Sequence, residues 1–228
     1  SKQRVKPNGG RVMGLKIAIP EGRLLPLCTK ALEAIGIEVP KKSGRKLSLQ
    51  KNGISFLFSK SFDVPLYVEH GIDLGIAGGD VVLERGCDLF VPLELDFGRC
   101  RLSLITHEHR TITMDDMEGY RIGTKYPKLT QAYFAQRGIS IKVLPFSGAI
   151  ELGLVLGICD AIVDIVDSGR TIQENGLTES EVLMNVGAML MVNRIAQKKH
   201  FDRINEIVIQ LNEEKEKTKR GGVTDGFS

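Results

Sequence analysis

The chain has 228 residues, 42% apolar and 26% charged, with a formal net charge of +3. This is the composition of a folded globular protein, with length for one large domain or two lobes of roughly 100 residues each. So small a net charge gives no general attraction to nucleic acid or membrane, and no apolar run approaches the roughly 20 residues of a membrane helix.

Residues 1–13 read as a disordered leader, with Met13 as an alternative start. The apolar run that follows, 15–20, is too short for a signal sequence and lacks a cleavage pattern, which predicts a cytoplasmic protein. That run reads as a buried first strand. A helix follows, with Leu24, Leu27, Cys28, Ala31, Leu32 and Ile35 on one stripe and Gly36 as its stop. Residues 45–50 and 54–59 predict two short strands around a hairpin turn at Lys51-Asn52-Gly53. The segment 62–71 predicts a helix with Asp63 as N-cap and Pro65 in its first turn. A strand at 73–77 and a short helix at 80–85 complete the first half.

Beyond Arg99 the alternation restarts, with strands expected at 101–106, 121–123, 140–144, 161–166 and 186–192. Helices are expected at 129–137 and 149–157, followed by one long helix from Arg194 to about Lys217 carrying Ile204, Ile207, Val208 and Leu211 at helical spacing. Alternation of this kind predicts an α/β protein with largely parallel sheets, in one or two lobes. The four cysteines, Cys28, Cys87, Cys100 and Cys159, form no CxxC pair and read as small buried hydrophobes. His107 and His109 lack a third ligand nearby and read as a solvated turn.

Three segments carry the residue types of ligand chemistry. In 160–171 an apolar strand ends in Asp164, and Asp167, Ser168, Gly169, Arg170 and Thr171 then lead into a short helix. At the carboxyl end of a parallel strand such a loop faces a ligand crevice and offers backbone N–H groups, two hydroxyls and a guanidinium to a phosphate. A carboxylate at Asp164 is a good acceptor for vicinal sugar hydroxyls, so the pair suits a phosphorylated ribose. The same residues also read as ordinary helix capping. At the first strand-to-helix turn, Gly22 lets backbone approach a ligand and Arg23 offers a cationic fork, or is simply an exposed arginine at a helix start. Third, Gly78-Gly79-Asp80 opens a loop and helix in which Asp80 is either a ligand contact or an N-cap. Neither a Walker A pattern nor GxGxxG occurs.

Six blocks, 20–24, 63–80, 100–102, 124–127, 147–151 and 164–171, fall in the order seen in ATP phosphoribosyltransferases, and the chain resembles that family over about 15–211. The resemblance implies two lobes with mainly parallel sheets, like periplasmic binding proteins, with the active site in the inter-lobe cleft. It divides the chain into 14–98 plus 188–218 as lobe I and 99–187 as lobe II, with 219–228 as a flexible tail. It carries 5′-phosphate binding onto Asp167, Ser168, Gly169, Arg170 and Thr171, and ribose contact onto Asp164 and Glu151. Arg170 departs from the small residue common there in the family. Gly22, Arg23, Asp80, Arg101 and Lys125 are the implied contacts for ATP or pyrophosphate.

The implied reaction joins N1 of ATP to C1 of phosphoribosyl pyrophosphate, releasing pyrophosphate, the first step of histidine biosynthesis. No covalent nucleophile is required, and Mg²⁺ is implied, held mainly by substrate. Because few residues follow Lys217, the resemblance is to the short form, a homodimer alone that works with a regulatory subunit similar to histidyl-tRNA synthetase. The alternative is a two-lobed solute-binding protein or effector-binding domain without catalysis. The missing export signal and helix-turn-helix count against it, and neither version gives a reason for the acid-plus-phosphate loop.

Overall fold

The computed structural model describes residues 14–221 except 43, 45, 110 and 111, so the expected leader at 1–13 and the tail beyond 221 lie outside the described residues. The elements run β1 (Lys16–Pro20), α1 (Leu24–Ala34), β2 (Ser48–Lys51), β3 (Ile54–Ser59), α2 (Val64–Glu69), β4 (Leu74–Gly78), α3 (Gly79–Arg85) and β5 (Phe90–Glu94). They continue with β6 (Cys100–His107), β7 (Arg121–Thr124), α4 (Pro127–Ala135), β8 (Lys142–Pro145), α5 (Glu151–Val155), β9 (Ala161–Val166) and α6 (Arg170–Glu174). Last come β10 (Leu177–Val186), β11 (Ala188–Val192), α7 (Arg194–Lys199) and α8 (Phe201–Gly221). The described residues divide into two compact units: one takes those up to Ala77 with Cys87–Leu95 and those from Leu190 onward, the other Gly78–Gly86 and Asp96–Met189.

The sheet of the first unit has the order β2-β3-β1-β4-β11-β5. Strand β1 lies parallel between β3 and β4, and Ile17, Ala18 and Ile19 are at most 1% exposed, which is why its sequence is an unbroken apolar run. Antiparallel pairing of β2 with β3 is closed by Asn52 (φ 50°) and Gly53 (φ 81°), the two left-handed residues of a tight hairpin turn. Leu24, Cys28 and Leu32, spaced four apart, form the buried stripe of α1. Asp63 occupies the N-cap position of α2 but makes no side-chain cap bond, because a short 3-10 turn, Ser61–Asp63, already leads into the helix.

The second unit's sheet has the order β10-β6-β9-β7-β8. Strand β7 is parallel to both β8 and β9, whereas β6 runs antiparallel to β9 and to β10. Both sheets are therefore mixed, with parallel strands β3-β1-β4 in the first and β9-β7-β8 along one side of the second. Helix α3 belongs with this unit rather than with the residues that flank it in sequence. Its Glu84 carboxylate accepts from the Lys128 and Leu129 amides (3.1 and 3.0 Å), and its Asp80 from the Tyr126 hydroxyl (2.8 Å).

Two further differences from the expected elements have local causes. The helix expected from Arg194 to Lys217 is two, because His200 (φ −121°, ψ 34°) leaves helical geometry between α7 and α8. Of the four cysteines only Cys28 and Cys159 are buried, while Cys87 and Cys100 are half-buried. Burial pushes the Cys28 thiol up to about 12, which leaves it an inert core group.

Asn193 starts α7 and is 7% exposed. Its Oδ1 accepts from the Ile195 and Ala196 amides (2.9 and 3.0 Å), and its Nδ2 donates to the Val68 and Glu69 carbonyls (2.8 and 3.1 Å). Asn193→Ala removes a helix cap and strands buried carbonyls together, and is expected to cost about 2–4 kcal/mol. Thermal unfolding followed by circular dichroism should show a melting temperature lower by several degrees, and a change under one degree would contradict this account.

Candidate active site

The candidate residues of the second unit converge where its parallel strands end. Asp164 lies in β9 between Ile162 and Val166, so all three share one face of the sheet by the period of two. Ile162 and Val166 are at most 3% exposed and pack with Ile105, Leu154, Ile172 and Leu177 beneath α5 and α6. Asp164 is thus a carboxylate on an apolar floor, with a side chain 17% exposed. Its Oδ1 accepts from the Ile165 amide at 2.8 Å, and Lys125 Nζ stands 3.6 Å from its Oδ2. Burial outweighs the lysine and, with the nearby Glu151 charge, leaves Asp164 above the ordinary carboxylate range.

Past β9 the chain turns through Asp167 and Ser168 to Gly169, whose φ of 78° suits glycine and starts α6. The Ser168 hydroxyl accepts from the Arg170 amide (3.4 Å), and Asp167, Ser168, Arg170 and Thr171 are exposed. Asp164 through Ile172, with Glu151 and Ile105, line one cavity of about 190 Å³. Drug-sized ligands occupy roughly 300–1,000 Å³, so this space suits a sugar phosphate better than a whole nucleotide. Its lining combines the acids Glu151, Asp164 and Asp167 with the hydroxyl residues Ser168 and Thr171 and with Arg170, the kinds of group that a ribose phosphate needs.

Lys125 comes to Asp164 through the turn after β7. The Thr124 hydroxyl donates to the Val163 carbonyl (2.7 Å) and accepts from the Tyr126 amide (2.9 Å), pinning that turn to β9. Tyr126 is 5% exposed, and burial with the Asp80 charge pushes its phenol well above the usual range, so it serves as a hydrogen-bond donor. Asp80, 7% exposed, therefore neither caps its helix, whose N-cap is Gly78, nor opens to solvent, but holds Tyr126 beside Lys125.

Arg101 is engaged as well. Its Nε and Nη2 donate to the two oxygens of Glu179 (2.5 and 2.6 Å), and its Nη1 to the Asp167 carbonyl (3.2 Å). Gly22 and Arg23 belong to the first unit, in the turn between β1 and α1, where Gly22 has φ 78° and Arg23 is exposed. Sequence reasoning passed over Glu179, Glu84 and Ser103, which support the site from the second unit's strands and α3. His107 ends β6 and His109 lies 91% exposed in the turn beyond it, paired with Glu108.

The two-unit α/β fold is that of solute-binding proteins: the chain matches a periplasmic aliphatic sulphonate binding protein of Escherichia coli with a TM-score of 0.59 over 92% of its length and 75% of that chain, at 15% identity. That likeness concerns the fold alone. An ATP phosphoribosyl transferase (HisG:HisZ) complex from Thermotoga maritima matches more closely, with a TM-score of 0.75, 30% identity, and coverage of 88% of this chain and 98% of that one. The family model for ATP phosphoribosyltransferase matches residues 60–213. ATP phosphoribosyltransferases of Petrotoga mobilis and Pyrococcus furiosus are 49% and 48% identical, covering 85% and 86% of this chain and 92% and 97% of those proteins. The chain belongs to the ATP phosphoribosyltransferase family. Its activity is transfer of the 5-phosphoribosyl group to N1 of ATP with loss of pyrophosphate, the first step of histidine biosynthesis, and a binding protein without catalysis is not favoured.

The raised value of Asp164 has a consequence for stability. The folded protein holds this proton more tightly than the unfolded chain, so the contribution is full below the ordinary carboxylate value and lost as pH rises through the folded one. Asp164→Asn should therefore melt at or above the parent temperature at pH 7, with the advantage vanishing as the pH falls to about 4. Scanning calorimetry across that range checks it, and a mutant less stable at pH 7 than at pH 4, relative to the parent, would contradict it.

Proposed function

We propose that the loop from Asp164 to Thr171 binds the phosphoribosyl pyrophosphate substrate. The 5′-phosphate would lie against Asp167, Ser168, Gly169, Arg170 and Thr171, and the ribose hydroxyls against Asp164 and Glu151. The observation that carries this reading is the Asp164 and Glu151 carboxylates and the exposed turn of Asp167, Ser168, Arg170 and Thr171 lining one cavity of sugar-phosphate size. Lys125 is the cation nearest the ribose carboxylate and is assigned to the charge that develops on the leaving pyrophosphate. Gly22 and Arg23, in the turn between β1 and α1, where Arg23 is exposed, are assigned to ATP. Arg101 and Asp80 support the site through Asp167 and Tyr126.

With that assignment the chemistry is a displacement at C1 of the ribose. N1 of the adenine ring attacks as the bond to pyrophosphate breaks, and the configuration inverts. The leaving group is already good, so the residues work by position and charge, holding two polyanions that together carry roughly eight or more negative charges. Magnesium is proposed to arrive with the substrate. Among the described residues no group of three or more His, Cys, Asp or Glu is placed to hold a metal ion by itself, while Glu151 and Asp164 are hard oxygen donors lining the cavity. Bound there, the ion would offset charge on the pyrophosphate.

The Thermotoga maritima neighbour is a complex of two kinds of subunit. By analogy this chain is proposed to form a homodimer alone and to work with a regulatory subunit similar to histidyl-tRNA synthetase, which supplies histidine sensing. We assign it to the cytoplasm, where ATP and phosphoribosyl pyrophosphate are made. Among the described residues no helix is long and apolar enough to cross a membrane.

The test is steady-state release of pyrophosphate, which should require both ATP and phosphoribosyl pyrophosphate. Thr171→Ala should raise the KM for phosphoribosyl pyrophosphate by about 10- to 100-fold, the equivalent of one hydrogen bond to a charged group, with the KM for ATP little changed. An unchanged KM would assign Thr171 to helix capping. Run with the regulatory subunit, the assay should gain turnover and histidine inhibition together, and full inhibition by histidine without it would refute the division of labour.

A further inference from the structure

Glu179 is at the start of β10, in a segment that carries no ligand-binding motif. Both its carboxylate oxygens are taken by the Arg101 fork, and Oε1 also accepts from the Ser103 hydroxyl (2.6 Å). Ser103 is fully buried, while the Arg101 and Glu179 side chains are 34% and 20% exposed. The remaining Arg101 nitrogen donates to the carbonyl of Asp167, the residue that opens the phosphate loop. Paired in this way, Arg101 holds the Glu179 carboxyl below its ordinary range, so the fork stays ionised.

The geometry shows why this relay needs the antiparallel strands. Arg101 and Ser103 lie two apart on β6, opposite Val166 and Asp164 of β9, so the relay shares a sheet face with the ribose carboxylate. The register of β10 on β6 shifts between Glu179 and Glu181, a bulge that re-aims the side chain. Glu179 is in register with Ile105 yet reaches Ser103 and Arg101 diagonally.

We propose that Glu179 is a positioning residue for the transfer reaction: anchored by Ser103, it orients Arg101 so that the guanidinium fixes the Asp167 carbonyl and with it the backbone of the phosphate loop. This rests on the assignment of that loop to phosphoribosyl pyrophosphate. Glu179 touches no substrate. Its effect passes through the shape of the loop, and so concerns one substrate and not the other.

The test is steady-state kinetics on the full chain with its regulatory subunit, varying each substrate in turn. Glu179→Gln keeps the shape but weakens the charged fork, and should raise the KM for phosphoribosyl pyrophosphate roughly fivefold or more while leaving the KM for ATP within twofold. Arg101→Lys, which keeps the charge but cannot fork, should do the same. The double variant should show little beyond the larger single effect, because both break one chain of contacts. Ser103→Ala, a small change, should give a weaker effect in the same direction should Glu179→Gln fold poorly. An unchanged or lowered KM in Glu179→Gln, with a raised one in Arg101→Lys, would mean that Arg101 binds substrate directly and would overturn the proposal. Equal loss for both substrates with a lowered melting temperature would reduce Glu179 to a structural role and overturn it too. Thr171→Ala separates the two ideas. If it raises the KM and Glu179→Gln does not, only the positioning role falls; if neither does, the loop assignment falls with it.

Discussion

A carboxylate kept on an apolar sheet face must be compensated, and much of the second unit is arranged around that requirement at Asp164. The floor of Ile162, Val166 and Ile105 excludes water from one side of the carboxylate. One backbone amide and the Lys125 ammonium are the partners on the other, at 2.8 and 3.6 Å. Neither fully offsets burial, which is why the group stays above the usual range. A substrate bringing two hydroxyls would complete the hydrogen bonding that the protein leaves short. The residues behind Lys125 follow from the same need: Thr124 ties its turn to β9 and Tyr126, held by Asp80, fills the space beside it. Glu84 anchors the helix that carries Asp80 by accepting from the first amides of α4.

What a sequence can reveal depends on how local the cause is. The hairpin at Asn52 and Gly53, the stripe Leu24, Cys28 and Leu32, and the strand-to-loop passage from Asp164 to Thr171 are all decided within a few residues, and each is readable. The kink at His200 is not, since the apolar spacing continues through it into α8. Strand β10 was hidden for another reason. Its two register shifts break the alternation, and charged Glu179 and Glu181 sit where a half-buried strand would show apolar residues.

The candidate site was legible in the same uneven way. Types of residue and their order pointed to a phosphate loop beside a ribose acid, because those groups are consecutive. The duties of Arg101 and Asp80 were not legible, since their partners Glu179 and Tyr126 lie 78 and 46 positions away. A guanidinium or carboxylate read from sequence is counted as available for ligand. Only the fold shows that an internal partner already occupies it. Solute-binding proteins share the architecture, so the architecture does not distinguish an enzyme from a carrier. Membership of the transferase family does.

The most direct measurement is a titration of the isotope-labelled protein with ribose 5-phosphate, followed by amide proton–nitrogen NMR. Ribose 5-phosphate lacks the pyrophosphate and cannot react, so it reports on the loop alone. The account predicts that the amides of Ser168, Gly169, Arg170 and Thr171 shift most and saturate together, and that Asp164→Asn weakens the response. Saturable binding with its largest shifts in the turn at Gly22 and Arg23, leaving 168–171 unmoved, would contradict it.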